Sequence, residues 1–126
     1  MASILVIEDN ELVRGFLRAV LEQQGHAVTE AGQGRAALQR LRQSPFDLVL
    51  TDIYMPDCDG LEVIMTLRRE FPSIRIVAMS GGSGDRNLLA AARQLGAQEV
   101  LEKPISIDGL LKIVATALSD RADAGQ

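Results

Sequence analysis

Five side chains stand where chemistry could be done: Glu8, Asp9, Asp52, Ser80 and Lys103. Each follows, or ends, a short apolar run of strand length: Ser3 to Ile7, Asp47 to Thr51, Ile74 to Met79 and Gln98 to Leu101. In an open α/β sheet, ligands bind in the crevice beyond the carboxyl ends of neighbouring strands. A strand order of 2-1-3-4-5 makes strands one and three neighbours, so Glu8, Asp9 and Asp52 converge. Three clustered carboxylates repel one another unless a cation compensates. Mg2+ suits such a site, because it is hard, oxygen-seeking and content to share its coordination sphere with waters and a phosphoryl group. The Ser80 hydroxyl and the compact Lys103 ammonium then supply a donor and a countercharge for an anion at the same edge. A carboxylate nucleophile, a dication, a hydroxyl and a lysine together stabilise a phosphoryl group in transfer and hold the resulting acyl phosphate. Asp52, lying between the acidic pair and the Ser80/Lys103 pair, is the expected nucleophile.

Each residue alone also fits a plain structural role. Glu8 and Asp9 suit a solvated turn at a helix start, where acids are common. Asp52 could bond its own turn, Lys103 could lie along the surface, and Ser80 could be a loop hydroxyl. Their joint placement at the ends of strands one, three, four and five favours the functional reading.

The elements that must position these groups follow from the hydrophobic period, which alternates between strand-length runs and longer helical stripes. With Ala27 to Glu30 as the second run, five strand–helix pairs are expected. The stronger runs are nearly continuous in Val, Ile and Leu, which implies burial on both faces and hence a parallel sheet covered by helices. Asn10 is a candidate cap for a first helix with the stripe Leu12, Val13, Phe16, Leu17, Val20 and Leu21, ending before Gly25. The second helix is expected over 34–43, the third from Gly60 with Leu61, Ile64, Met65 and Leu67 facing inward, and the fourth over 85–95. The fifth starts near Ser106 and buries Leu110, Leu111, Val114, Ala115 and Leu118, with a polar, frayed end from Ser119.

The chain has 126 residues, 47% of them hydrophobic, which suits one compact domain. Residues 1–120 are expected to form it, with 121–126 as a polar tail. A single cysteine, Cys58, makes no internal disulfide, and it reads as an inert surface thiol between two aspartates. No leader or membrane span is read, so a cytoplasmic location is expected. A net charge of −4 with dispersed basic residues argues against direct nucleic-acid binding. The glycines after Ser80 lack the spacing of a phosphate-binding loop and read as a flexible segment. His26, the sole histidine, opens the second strand and is a poor candidate base.

Four segments taken together resemble the receiver domain of bacterial response regulators, over nearly the whole chain. They are Ile-Leu-Val-Ile-Glu-Asp at 4–9, Asp-Leu-Val-Leu-Thr-Asp-Ile-Tyr-Met-Pro at 47–56 with Gly60 following, Met-Ser-Gly-Gly at 79–82 and Glu-Lys-Pro at 102–104. The resemblance implies a flavodoxin-like, doubly wound sheet of five parallel strands in the order 2-1-3-4-5 with five helices. It implies that Asp52 is the phosphoacceptor, that Glu8 and Asp9 support Mg2+, and that the backbone carbonyl of Tyr54 is a further metal ligand. Ser80 matches the switch hydroxyl, Lys103 the family's lysine, and the bond before Pro104 its cis peptide. The implied donor is a phospho-histidine on a histidine kinase or histidine phosphotransfer protein. The implied effector binds the face of helix four, strand five and helix five.

Two positions depart from the family pattern. Val100 stands where an aromatic switch residue is common, so its rotamer signal is missing. Glu8 replaces the commoner aspartate and lengthens one arm of the metal site. The expected function is thus a phosphoacceptor switch that turns over no metabolite, with Gly81, Gly82 and Gly84 letting the loop after Ser80 shift. Two rivals are weighed. A Mg2+-dependent phosphatase with an aspartyl-phosphate intermediate often has an acid/base aspartate two residues past the nucleophile, where this chain has Tyr54. An unphosphorylated docking domain would have little reason to keep the full acidic and lysine set.

Overall fold

The computed structural model describes residues 2–53, 60–81 and 86–124, and the side chains of all of these except 86–88 and 120–124. The elements alternate in chain order: β1 (Ser3–Ile7), α1 (Glu11–Gln23), β2 (Ala27–Ala31), α2 (Gly34–Gln43), β3 (Leu48–Asp52), α3 (Gly60–Glu70), β4 (Arg75–Gly81), α4 (Arg86–Leu95), β5 (Glu99–Lys103) and α5 (Ile107–Ala124). The strands form one parallel sheet ordered β2-β1-β3-β4-β5, as expected for a doubly wound fold.

Side-chain alternation along the strands divides the interior into two layers. Leu5, Ile7, Val49, Ile76 and Ala78 face α2, α3 and α4, meeting Ala37, Leu41, Val63, Ile64, Leu67 and Ala92. Ile4, Val6, Leu48, Leu50, Val77 and Met79 face α1 and α5, meeting Leu17, Leu21, Leu110, Val114 and Ala117. The central strands β1, β3 and β4 are buried on both sides, which is why their sequences are almost wholly apolar.

Three expected stripes shift on packing. In α1, Leu17, Val20 and Leu21 are buried, but Leu12 is 86% exposed and Phe16 39% exposed. Leu12 and Phe16 instead border an open cavity with Lys103, Pro104 and Ile105, which leaves them in contact with solvent. In α3, Val63 takes an inward position and Met65 turns outward. In α5, Ala117 is buried where Ala115 was expected, and the helix runs on to Ala124 past Ser119.

The strand ends also move. β4 extends through Ser80 to Gly81, and β5 includes Lys103, because the ladder continues to the Ser80–Glu102 and Gly81–Lys103 pairs. Asn10 caps α1, its side chain accepting from the N–H groups of Leu12 and Val13. At the start of α3, Gly60 lies against the chain just past β3. A β-carbon there would stand 2.4 Å from Ile53 Cα and O and 2.6 Å from Asp52 O. Only glycine lets α3 approach the end of the central strand so closely.

Candidate functional site

The buried polar residues Glu8, Thr51, Asp52 and Ser80 gather at the carboxyl end of the sheet, while the buried Arg75 lies at the opposite end, where β4 starts. Glu8, Asp52 and Ser80 are all at least 96% buried, while Asp9 is exposed. One carboxylate oxygen from each of Glu8, Asp9 and Asp52 lies within 4.8 Å of the other two. The β1–β3 pairing creates this cluster, since Ile7 and Thr51 are ladder partners and the acids follow directly from them. Asp52 in turn sits beside Met79 of β4.

Lys103 reaches the cluster from the far edge of the sheet. Its Nζ is 2.6 Å from Glu8 Oε1 and 3.1 Å from Asp52 Oδ2. Gly81 opposite leaves room for this path, because a β-carbon there would sit 3.2 Å from Lys103 Cδ. The Lys103–Pro104 peptide bond is cis. Burial works to lower the pKa of Lys103, but its hydrogen bonds to Glu8 and Asp52 outweigh burial and hold the ammonium charged. Burial pushes the Glu8 carboxyl above its usual range, and the nearby Asp52 charge adds to this. Lys103 and the Asn10 N–H act in the opposite direction. The Asn10 N–H donates to Glu8 Oε2 at 3.0 Å.

Ser80 occupies the same edge, one residue before the end of β4 and beside Glu102. Val100 is half-buried in β5, opposite Ala78, and packs on the core layer beneath α4. Tyr54, Cys58, Gly82 and Gly84 lie outside the described residues. Next to the cluster, Leu12, Val13, Phe16, Lys103, Pro104 and Ile105 line a shallow cavity of about 290 Å3. The uncovered apolar residues of α1 therefore flank the acidic pocket.

Sequence reasoning missed Arg14. Its Nη1 donates to the Glu8 carbonyl at 2.9 Å, and its Nε donates to Glu30 Oε1 at 2.9 Å. The available signal was weak: a polar residue on the inner half of α1 and a lone acid in a strand that is otherwise largely apolar.

The donor set fits a small dication on its own chemistry. It offers carboxylate oxygens only, from two buried acids and one exposed acid, close enough to share one hard ion. Among the described residues no helix is long and apolar enough to cross a membrane.

Comparison with known proteins agrees with this arrangement. The response regulator receiver domain family matches residues 4–115. The chain is 36% identical over 115 residues to the CAI-1 autoinducer sensor kinase/phosphatase CqsS of Vibrio cholerae, covering 89% of this chain and 17% of that protein. It is 34% identical to the KDP operon transcriptional regulatory protein KdpE of Escherichia coli, covering 94% of this chain and 52% of that one. The chain thus spans about half or less of the length of these two relatives. Among solved structures, a receiver domain protein from Clostridium thermocellum superposes with a TM-score of 0.91 at 26% identity, covering 97% of this chain and 98% of that one. NtrX from Brucella abortus gives a TM-score of 0.92 at 28% identity, covering 96% of this chain and 28% of NtrX. Sheet order, acidic pocket and family match agree: the chain belongs to the response regulator receiver domains, the signalling modules of two-component systems.

Proposed function

We propose that this receiver domain, residues 1–120, is switched by a phosphoryl group on Asp52. The observation that carries the reading is the convergence of Glu8, Asp9 and Asp52 oxygens within 4.8 Å, with Lys103 Nζ 3.1 Å from Asp52 Oδ2. An Asp52 carboxylate oxygen attacks the phosphorus of a phospho-histidine donor in line. A P–O bond forms, the P–N bond breaks, and the electron pair stays on the departing imidazole. Glu8, Asp9, Asp52 and the Tyr54 carbonyl would hold Mg2+, which neutralises charge on the transferring oxygens. Lys103 supplies the countercharge from the opposite side, and the Ser80 hydroxyl donates to a phosphoryl oxygen. Water later attacks the acyl phosphate and resets the domain.

The donor is a histidine kinase or histidine phosphotransfer protein, and the apolar residues Leu12 and Phe16 offer it a surface beside the pocket. The product adds roughly two negative charges where Lys103 and Ser80 can follow them. That pull favours one of two pre-existing arrangements of the segment after Ser80 and of α4. A downstream effector on the α4/β5/α5 face then reads the difference, with Val100 contributing packing where relatives commonly use a ring. We place the domain in the cytoplasm, where such partners operate.

Intact-mass measurement after incubation with acetyl phosphate and Mg2+ tests the reading. The parent should gain one phosphoryl group that chelation of Mg2+ prevents, and Asp52→Asn should gain none. An adduct of equal stability on both proteins, or on neither, would refute the assignment.

A further inference from the structure

Glu8 is pinned through its backbone as well as its carboxylate. Its N–H donates to the Ala31 carbonyl at 3.1 Å, which locks it to the end of β2. Its carbonyl accepts from Arg14 Nη1 at 2.9 Å. That carbonyl belongs to the planar peptide unit joining Glu8 to Asp9, so its direction sets the departure of both acidic side chains. Arg14 is itself held. Its Nε donates to Glu30 Oε1, its side chain is only 19% exposed, and a β-carbon on Gly32 would press on Nη1 at 3.0 Å. The rigid guanidinium fork can serve Glu30 with one nitrogen and the Glu8 carbonyl with another, which a lysine could not do in the same geometry. The neighbouring Arg18 also pairs with Glu30, at 2.8 Å, but its other partner is Glu22 rather than the Glu8 carbonyl.

We propose that the Arg14–Glu30 ion pair is a positioning device for the divalent cation, acting by fixing the peptide plane that joins Glu8 to Asp9. The inference rests on the metal reading given above. It makes a prediction opposite in sign to simple electrostatics. Arg14 is a cation near a cation site, so deleting its charge alone should tighten metal binding by Coulomb's law. If Arg14 orients the ligands, its loss loosens binding instead. Replacing both members of the pair, Arg14→Met with Glu30→Gln, leaves the net charge unchanged and isolates orientation.

The test uses the full chain and Mn2+ as a paramagnetic stand-in for Mg2+, with free ion counted by electron paramagnetic resonance. The parent should bind, and Asp9→Asn should bind far less. The double variant should lose about 10-fold in affinity, the low end of the effect of removing a group that orients metal ligands. Arg14→Lys, which keeps the charge but cannot serve Glu30 and the Glu8 carbonyl together, should weaken binding in the same direction, and it answers the question even if the double variant folds poorly. Arg18→Met should leave affinity unchanged. Unfolding of each metal-free variant separates general destabilisation from a change in affinity. Parent-like binding by the double variant or by Arg14→Lys, or an equal loss in Arg18→Met, would overturn the positioning role while leaving the metal site standing. A parent that binds no Mn2+ or Mg2+ would overturn the metal reading, and this inference with it.

Discussion

Replacing Lys103 with methionine removes the only cation that the described residues place against the Glu8 and Asp52 carboxylates. At 2.6 and 3.1 Å, the gross Coulomb attraction is about 6 and about 5 kcal/mol at an effective dielectric constant of ~20. Most of it offsets desolvation, because the Glu8 and Asp52 side chains are only 1% and 6% exposed. Deleting one partner of a buried pair costs ~3–5 kcal/mol, and the 24% exposure of Lys103 brings the expectation to about 2–3 kcal/mol. That loss should appear as a urea midpoint about 1–2 M below the parent's at neutral pH.

The pH dependence has a definite sign. Burial already raises the Glu8 pKa above 4.5, and losing Lys103 raises it further. The penalty on the variant is therefore full at neutral pH and shrinks as pH falls through the raised Glu8 pKa, where that carboxyl takes up a proton. Saturating Mg2+ should also recover part of the lost stability, since a bound dication replaces the missing positive charge. Urea unfolding of parent and variant, at neutral pH and below the raised Glu8 pKa, with and without Mg2+, measures all three effects. A destabilisation that ignores both pH and Mg2+ would refute the pairing and leave Lys103 as mere packing.

Gly60→Ala should cost about 3 kcal/mol or more, because its β-carbon would meet backbone of Ile53 and Asp52 that cannot step aside, and thermal unfolding would show it. Asn10→Ala should cost about 1 kcal/mol by uncapping α1, with a matching shift in urea midpoint and no change in the sheet. His26 accepts the Ala2 N–H through Nδ1, and burial holds its pKa below 6.5. Its neutral form therefore contributes stability that is present above pH 6.5 and lost as pH falls through the lowered pKa. The pH–stability profile of His26→Phe should lack that drop.

Much of the architecture is legible in residue order. Continuous Val, Ile and Leu in β1, β3 and β4 announces strands buried on both faces, and Asn10 and Gly25 mark the two ends of α1, where side-chain capping and a positive φ require them. The acids, the serine and the lysine could be placed at one edge because strand ends of a parallel sheet share an edge. Helix stripes were less legible. Leu12 and Met65 belong to apolar patterns, yet they are 86% and 49% exposed. Periodicity reports a face, not whether anything covers it.

Sequence alone determined the class of fold, the family and the residue types available for the pocket, since hydrophobic period and short motifs are local properties. Only the tertiary structure decided the distances. Glu8 and Lys103 are 95 residues apart in the chain and 2.6 Å apart in space, and Arg14 reaches a carbonyl that has no side-chain signature. Those contacts depend on strand register and on which way each side chain leaves the sheet. These are set by the packing of the whole domain rather than by any segment of it.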